Sequence, residues 1–209
     1  MARPVKKAPE QWEQEILNAA QKLFISKGYE ETSITDIMEL VGGATGMFYR
    51  CFQSKEEILN VLVEKWVEQY LQKITFLLGN PQGTLSEKFT AILRTIEEMS
   101  KRTIGMENFF SASNEIVLNK LTKQMTSAFT PLLADFLESW VREGVLAIGN
   151  VEFYANYIIY GALGALNSGM DFVGENITRN IQFLPQIIAN TLQVDVNVLL
   201  NACDRKENE

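Results

Sequence analysis

A chain of 209 residues, 46% apolar and 22% charged, is long enough to bury one large core or two modest ones and has the texture of an ordinary globular protein. With no histidine and only two widely separated cysteines, Cys51 and Cys203, it excludes a zinc cluster and a disulfide framework, and it lacks the commonest general base. Its net charge of -7 argues against a nucleic-acid binder until it is divided: residues 1–55 carry seven Lys or Arg against seven acids, so all of the -7 falls on residues 56–209.

The N-terminus, MARPVKKAPEQW, has no apolar centre of the signal-peptide kind, and no apolar run in the chain approaches bilayer length, so the expected location is the cytoplasm, with no membrane partner. Arg3, Lys6 and Lys7 are interleaved with Pro4 and Pro9. They read equally well as an arm for phosphates or the minor groove and as a tail without fixed structure.

The first helix is predicted from Pro9 or Glu10 to Ser26, with Ile16, Leu17, Ala20, Leu23 and Phe24 on its inner stripe and Gly28 stopping it. Ser33 is a good N-cap for a second helix, and Asp36 three residues on completes an approximate capping box. Ile34, Ile37, Met38 and Val41 recur at helical spacing, so one face of that helix must be buried. Gly42-Gly43 breaks it. A third short helix, Ala44 to Cys51, is expected to turn Ala44, Phe48 and Phe52 inward, leaving Thr45, Met47, Tyr49 and Arg50 to face elsewhere. Two short helices joined by a tight turn make a helix-turn-helix.

Read with its flanks, from Ile16-Leu17-Asn18-Ala19-Ala20 through Leu23-Phe24, Gly28-Tyr29, Thr32-Ser33, Asp36-Ile37, Gly42, Gly46, Phe48-Tyr49, Phe52 and Ser54-Lys55-Glu56, this segment resembles the DNA-binding domain of the tetracycline-repressor (TetR) family. About a dozen residue types at set spacings are far more specific than a bare helix-turn-helix pattern. Three positions depart from the family's habit: Met38 and Gly43 stand where Ala and Val are usual, and Thr45 where Lys or Gln is frequent. The resemblance implies that Ser33 and the adjoining N–H groups face a phosphate, and that the Tyr49 phenol contacts another. Ala44, Thr45 and Met47 at the start of the third helix, with Thr35 from the second, are the expected approach to base edges, where apolar touch of thymine methyls is the available chemistry. Gly46 would let the backbone come close. Lys55, a cation in the first turn of a helix, opposes the helix dipole, a misfit that a nearby phosphate would repair.

Ser54-x-x-Glu57 is a strong helix start, and Leu59, Leu62, Val63, Trp66, Tyr70 and Ile74 carry that helix to a stop at Gly79-Asn80-Pro81. It spans on the order of 36 Å and belongs to both halves of the chain. Beyond it the pattern is all-α. Thr84-x-x-Glu87 opens a helix that ends near Lys101-Arg102. Asn114 to Glu143 is helical with a kink or division at Pro131, and Gly144 closes it. Asn150 caps a helix to about Met170, and Thr178 to Leu192 gives one more.

The predicted organisation is thus a helix-turn-helix domain at 1–54, a helical effector-binding and dimerisation domain at 55–202 and a charged tail at 203–209. The last two long helices are apolar over more than one face, which calls for a second copy of the chain as cover and makes a homodimer. Trp66, Tyr70, Met106, Phe109, Phe110, Met125 and Phe129 are the candidate lining of a pocket, which the resemblance implies takes a small, mainly apolar effector. No metal triad, nucleophile elbow or glycine-rich phosphate loop is present, so neither an enzyme nor a cofactor is expected. The reading is of a regulator, most simply a repressor, that leaves a palindromic double-stranded operator when the effector binds. The alternative is a ligand-independent or architectural DNA-binding dimer with a solid C-terminal core.

Overall fold

The computed structural model describes residues 8–80, 82, 84–101, 115–167 and 181–200, and among them the regular structure is all helical. The basic arm, Met106, Phe109, Phe110 and the charged tail lie outside the described residues. The helices are α1 (Pro9–Lys27), α2 (Ile34–Val41), α3 (Thr45–Cys51), α4 (Lys55–Gly79), α5 (Leu85–Lys101), α6 (Glu115–Arg142), α7 (Val151–Asn167), α8 (Leu184–Leu192) and α9 (Val196–Leu200).

The expected starts and stops are present as hydrogen bonds. Ser33 Oγ accepts from the Asp36 N–H at 3.0 Å while the Asp36 carboxylate accepts from the Ser33 N–H at 2.8 Å, a reciprocal capping box. Lys27 closes on the same carboxylate at 2.8 Å, and these partners, the Lys27 bond first, hold Asp36 at a pKa of about 2. Ser54 Oγ accepts from the Glu57 N–H at 3.1 Å, and Thr84 Oγ1 from the Glu87 N–H at 3.2 Å. Asn150 Oδ1 caps α7 through the Phe153 N–H at 3.0 Å. Gly42 and Gly144 end α2 and α6 at φ +73°, in the left-handed region that favours glycine.

The C-terminal half adds three details. Pro131 does not divide α6, which runs through it as a single helix of 28 residues. The start of the helix expected from Thr178 lies outside the described residues; a turn at 182–183 interrupts its span, and α8 runs from Leu184 with Pro185 in the first turn, which proline tolerates. The short α9 has no counterpart in the sequence reading. It is held against α5 by the Ser86 hydroxyl, which donates to the Val198 carbonyl at 2.7 Å.

Two cores result. The first joins Ile16, Leu17, Ala20 and Phe24 of α1 to Ile37, Met38, Phe48 and Phe52, and continues through Ile58, Leu59, Leu62, Val63 and Val67 of α4 to Val117 and Leu121 of α6. The second gathers Phe89, Phe136, Leu137, Trp140, Leu146, Ala155, Ile158, Ala189, Leu192 and Leu199. Helix α6 serves both, Val117 and Leu121 near one end and Phe136 to Trp140 near the other. Tyr29, 6% exposed and edge-on to Phe24 at 5.1 Å, seals the first core below the α1–α2 loop. Burial first, then Glu56 and Glu30, pushes its phenol up to about 12. Stability from this group is therefore complete below pH 10 and drains as pH climbs from 10 through 12. A spectrophotometric titration is expected to show a tyrosine ionising near pH 12 that is absent from Tyr29→Phe.

Candidate DNA interface and internal cavity

The α2–α3 unit is anchored from behind by Ile37, Met38 and Phe48, all buried, so its opposite face is presented to solvent. Ser33, Thr35, Ala44, Thr45, Gly46 and Tyr49 are exposed, Tyr49 at 60%, and Met47 is half-buried. Ala44 departs from the expectation that it points inward. α3 begins one residue later, which makes Ala44 its N-cap in an extended conformation, outside the helical face that Phe48 and Phe52 share. Having no side-chain acceptor there, α3 leaves its first-turn N–H groups without a side-chain cap. The Tyr49 ring stands edge-on to Phe48 at 5.3 Å, which steadies it without burying it.

Lys55 is the main surprise. Its ammonium reaches back across the module to the α1–α2 loop and donates to the carbonyls of Tyr29 at 2.7 Å, Thr32 at 2.9 Å and Glu30 at 3.3 Å, while lying 4.3 Å from the Tyr29 ring centroid. The loop is knitted further by the Thr32 hydroxyl, which donates to Gly28 O at 2.6 Å. Lys55 is thus the clasp of a loop: the misfit with the helix dipole is repaired by backbone carbonyls. Of the four cations in residues 8–55, Lys27 and Lys55 are engaged internally, and Lys22 and Arg50 face solvent. Cys51, on the same helix as Tyr49, is half-buried, and burial followed by Glu13 pushes its thiol up, away from the reactive thiolate.

Gly43 is required by close approach. A Cβ there would stand 2.7 Å from Met38 Cε and 2.7 Å from Trp12 Cζ3. Two of the departures from the family's habit are therefore one packing solution: the Met38 thioether and the Trp12 ring fill the space that a valine would take.

Between α4, α5, α6, α7 and α8 lies a partly enclosed cavity of about 170 Å³. Three of the expected residues line it: Tyr70, Met125 and Phe129. Trp66 does not; one turn earlier on α4, it packs against the first core instead. The rest of the described wall is aliphatic or phenyl: Ile74 and Leu78, Ile92 and Ile96, Leu132, Leu133 and Phe136, Ile159, Ala162 and Leu163, and Leu184. Such residues carry no sequence signal that separates a cavity wall from ordinary core. Met125 and Phe129 have a second neighbour, because both also pack against the first core. A broader open groove of about 670 Å³ runs along the α4–α6 seam past Glu64, Glu68, Lys120 and Lys123; open to water, it cannot desolvate an apolar guest.

α7 and α8 leave an apolar face uncovered. Phe153, Tyr157 and Tyr160 are 65%, 61% and 54% exposed, Phe183 and Ile187 are 55% and 56%, and the neighbouring Gly161 and Gly164 open onto empty space.

A helix-turn-helix with exposed first-turn residues, joined by one long helix to a hollow helical body, defines a ligand-responsive DNA-binding regulator. Residues 16–62 match the profile of the bacterial regulatory proteins of the tetR family. QacR, a transcriptional regulator of Staphylococcus aureus, is 39% identical over 195 residues, covering 85% of this chain and 96% of its own. YvkB, a regulator of Bacillus subtilis, is 28% identical over 153 residues, covering 70% and 78%. Among solved structures, a TetR-family regulator from Syntrophomonas wolfei shares 24% identity and a TM-score of 0.67 over 90% of this chain and all of its own. RolR in complex with resorcinol shares 19% and a TM-score of 0.65, over 96% and 97%. The chain belongs to the TetR family. It is a DNA-binding transcriptional regulator and not an enzyme; regulators of this family bind operator DNA and small-molecule effectors as dimers. No helix of the described residues is long and apolar enough to cross a membrane.

Proposed function

We propose that this protein is a homodimeric repressor that holds a palindromic operator in the cytoplasm through α2 and α3 and releases it when a small molecule fills the cavity. The observation that carries the reading is the double contact of Met125 and Phe129, which wall the cavity and also pack against the first core, the one that continues through α4 to α1, α2 and α3. A guest that displaces those two side chains presses on a core that α4 and α6 share with the scaffold that orients α3. The change in DNA affinity then equals the difference in ligand affinity between the DNA-holding and DNA-free shapes. A solid C-terminal core, which the architectural alternative requires, is at odds with this cavity.

In the DNA complex, Ser33 and Tyr49 take phosphates, while Thr35, Ala44, Thr45 and Met47 approach base edges with Gly46 allowing close contact. None of these offers a bidentate hydrogen bond, so the shape of the operator contributes to its choice. Lys55 is withdrawn from the contact set because its three protons already have acceptors. The test is selection of random duplexes on the immobilised protein at fixed salt. A palindrome with half-sites about one helical turn, roughly 34 Å, apart is the expected product; enrichment of nothing overturns the reading.

The bare face of α7 and α8 is the dimer surface, two helices from each subunit making a four-helix contact. Burying a carboxylate at its centre is costly. Tyr157→Glu is therefore expected to shift sedimentation from dimer to monomer and to lower operator affinity at least about tenfold, since each half-site then binds alone. A variant that stays dimeric would move the interface elsewhere.

A further inference from the structure

The wall of the cavity says what kind of molecule enters it. Among the described residues it carries no charged side chain, and the Tyr70 phenol is its one hydroxyl. The charged neighbours on α4 and α6 stand outside it: Lys73 and Asp135 are exposed, and Glu64, Glu68, Lys120 and Lys123 lie along the open groove on the seam. Against these described residues a charged guest would surrender its hydration without meeting an opposite charge, and that penalty amounts to several powers of ten in affinity. Size narrows the class further. An apolar cavity of roughly 150 Å³ lined by Leu, Ile and Phe stays dry and admits benzene. At about 170 Å³, this one has room for a single ring with a small substituent.

We infer that the effector is an uncharged molecule built on one six-membered ring, and that cations and anions of the same size are refused. The inference rests on reading the cavity as the effector site. Helix α6 makes the selection, because Met125, Phe129, Leu133 and Phe136 form one long wall with no charged group and no side-chain donor.

The test uses the full chain with three probes of nearly equal size at pH 7: ethylbenzene, benzylamine as its ammonium ion, and benzoate. Binding is measured by calorimetry, and retention of the selected operator is measured in parallel samples. Ethylbenzene is expected to bind at least roughly 100-fold more tightly than either ion, the ratio that about 2.7 kcal/mol of unmet charge implies. Filling the space by Ala162→Leu, or by Leu133→Phe should the first variant fold poorly, is expected to weaken ethylbenzene at least about tenfold while the ligand-free melting temperature holds or rises. An ion that binds within tenfold of ethylbenzene overturns the inference, and so does ethylbenzene affinity indifferent to both fillings. Ethylbenzene that binds selectively yet leaves the operator held supports the ligand class and removes the release mechanism, so the two readings fail separately.

Discussion

Lys55→Met will destabilise the DNA-binding half by about 2–3 kcal/mol, the scale expected when a half-buried charged donor leaves carbonyl acceptors unsatisfied. Three carbonyls, those of Tyr29, Glu30 and Thr32, are left without their shared donor, and the Tyr29 ring without the cation above it. Chemical denaturation of wild type and variant measures the destabilisation directly. Operator binding distinguishes this clasp from a phosphate ligand. If Lys55 neutralised a phosphate, the variant would be as stable as wild type, and its plot of log affinity against log salt would be shallower by about 0.9 for each phosphate no longer neutralised. The expected outcome is the reverse: lower stability and an unchanged slope. Arg50→Ala is the comparison, since Arg50 is exposed on α3 and its removal is expected to flatten the slope without lowering stability.

Gly43→Val is expected to cost about 1–3 kcal/mol by overpacking, because even its Cβ would stand 2.7 Å from both the Met38 methyl and the Trp12 ring. Met38→Ala alone should cost about 2–5 kcal/mol, since Met38 is 1% exposed and its removal empties a packed site. Combined, the two changes should cost at least about 1 kcal/mol less than their sum, because the valine moves into the space that the thioether leaves. Thermal or denaturant unfolding of the four proteins closes the cycle. Strict additivity would show that Trp12 alone limits the site and that the two departures are unrelated.

These two cases mark what can be read from the sequence. α1 to α4 are legible because their signals are local: an apolar stripe at helical spacing, a serine that caps, a glycine that stops. Ser33, Ser54, Thr84 and Asn150 all cap within three residues of themselves, and each is visible as a short pattern. The loop partners of Lys55 are not legible because they lie 23 to 26 residues away, and only the fold brings the α1–α2 loop beneath it. The cavity is half legible. Tyr70, Met125 and Phe129 stand out as adaptable side chains, but Ile92, Leu133 or Ile159 look the same whether they border space or another side chain. Trp66 is drawn in by its chemistry and excluded by its height on α4. The five residues of α9, too short for any periodicity to develop, owe their helix to packing against α5.

Helix α6 bears on how such regulators can diversify. Its Val117 and Leu121 complete the core that begins at Ile16, some hundred residues earlier, as do Ile58 to Val67 of α4. Grafting residues 1–54 onto a relative would therefore carry the base-reading surface into a body whose complementary side chains were shaped for another scaffold. A new operator preference is inherited intact only when positions 58–67, 117 and 121 travel with the reading helix. Recombination at the start of α4 should give poorly folding hybrids, whereas point changes on the exposed face of α3 can alter the operator and leave the shared core alone.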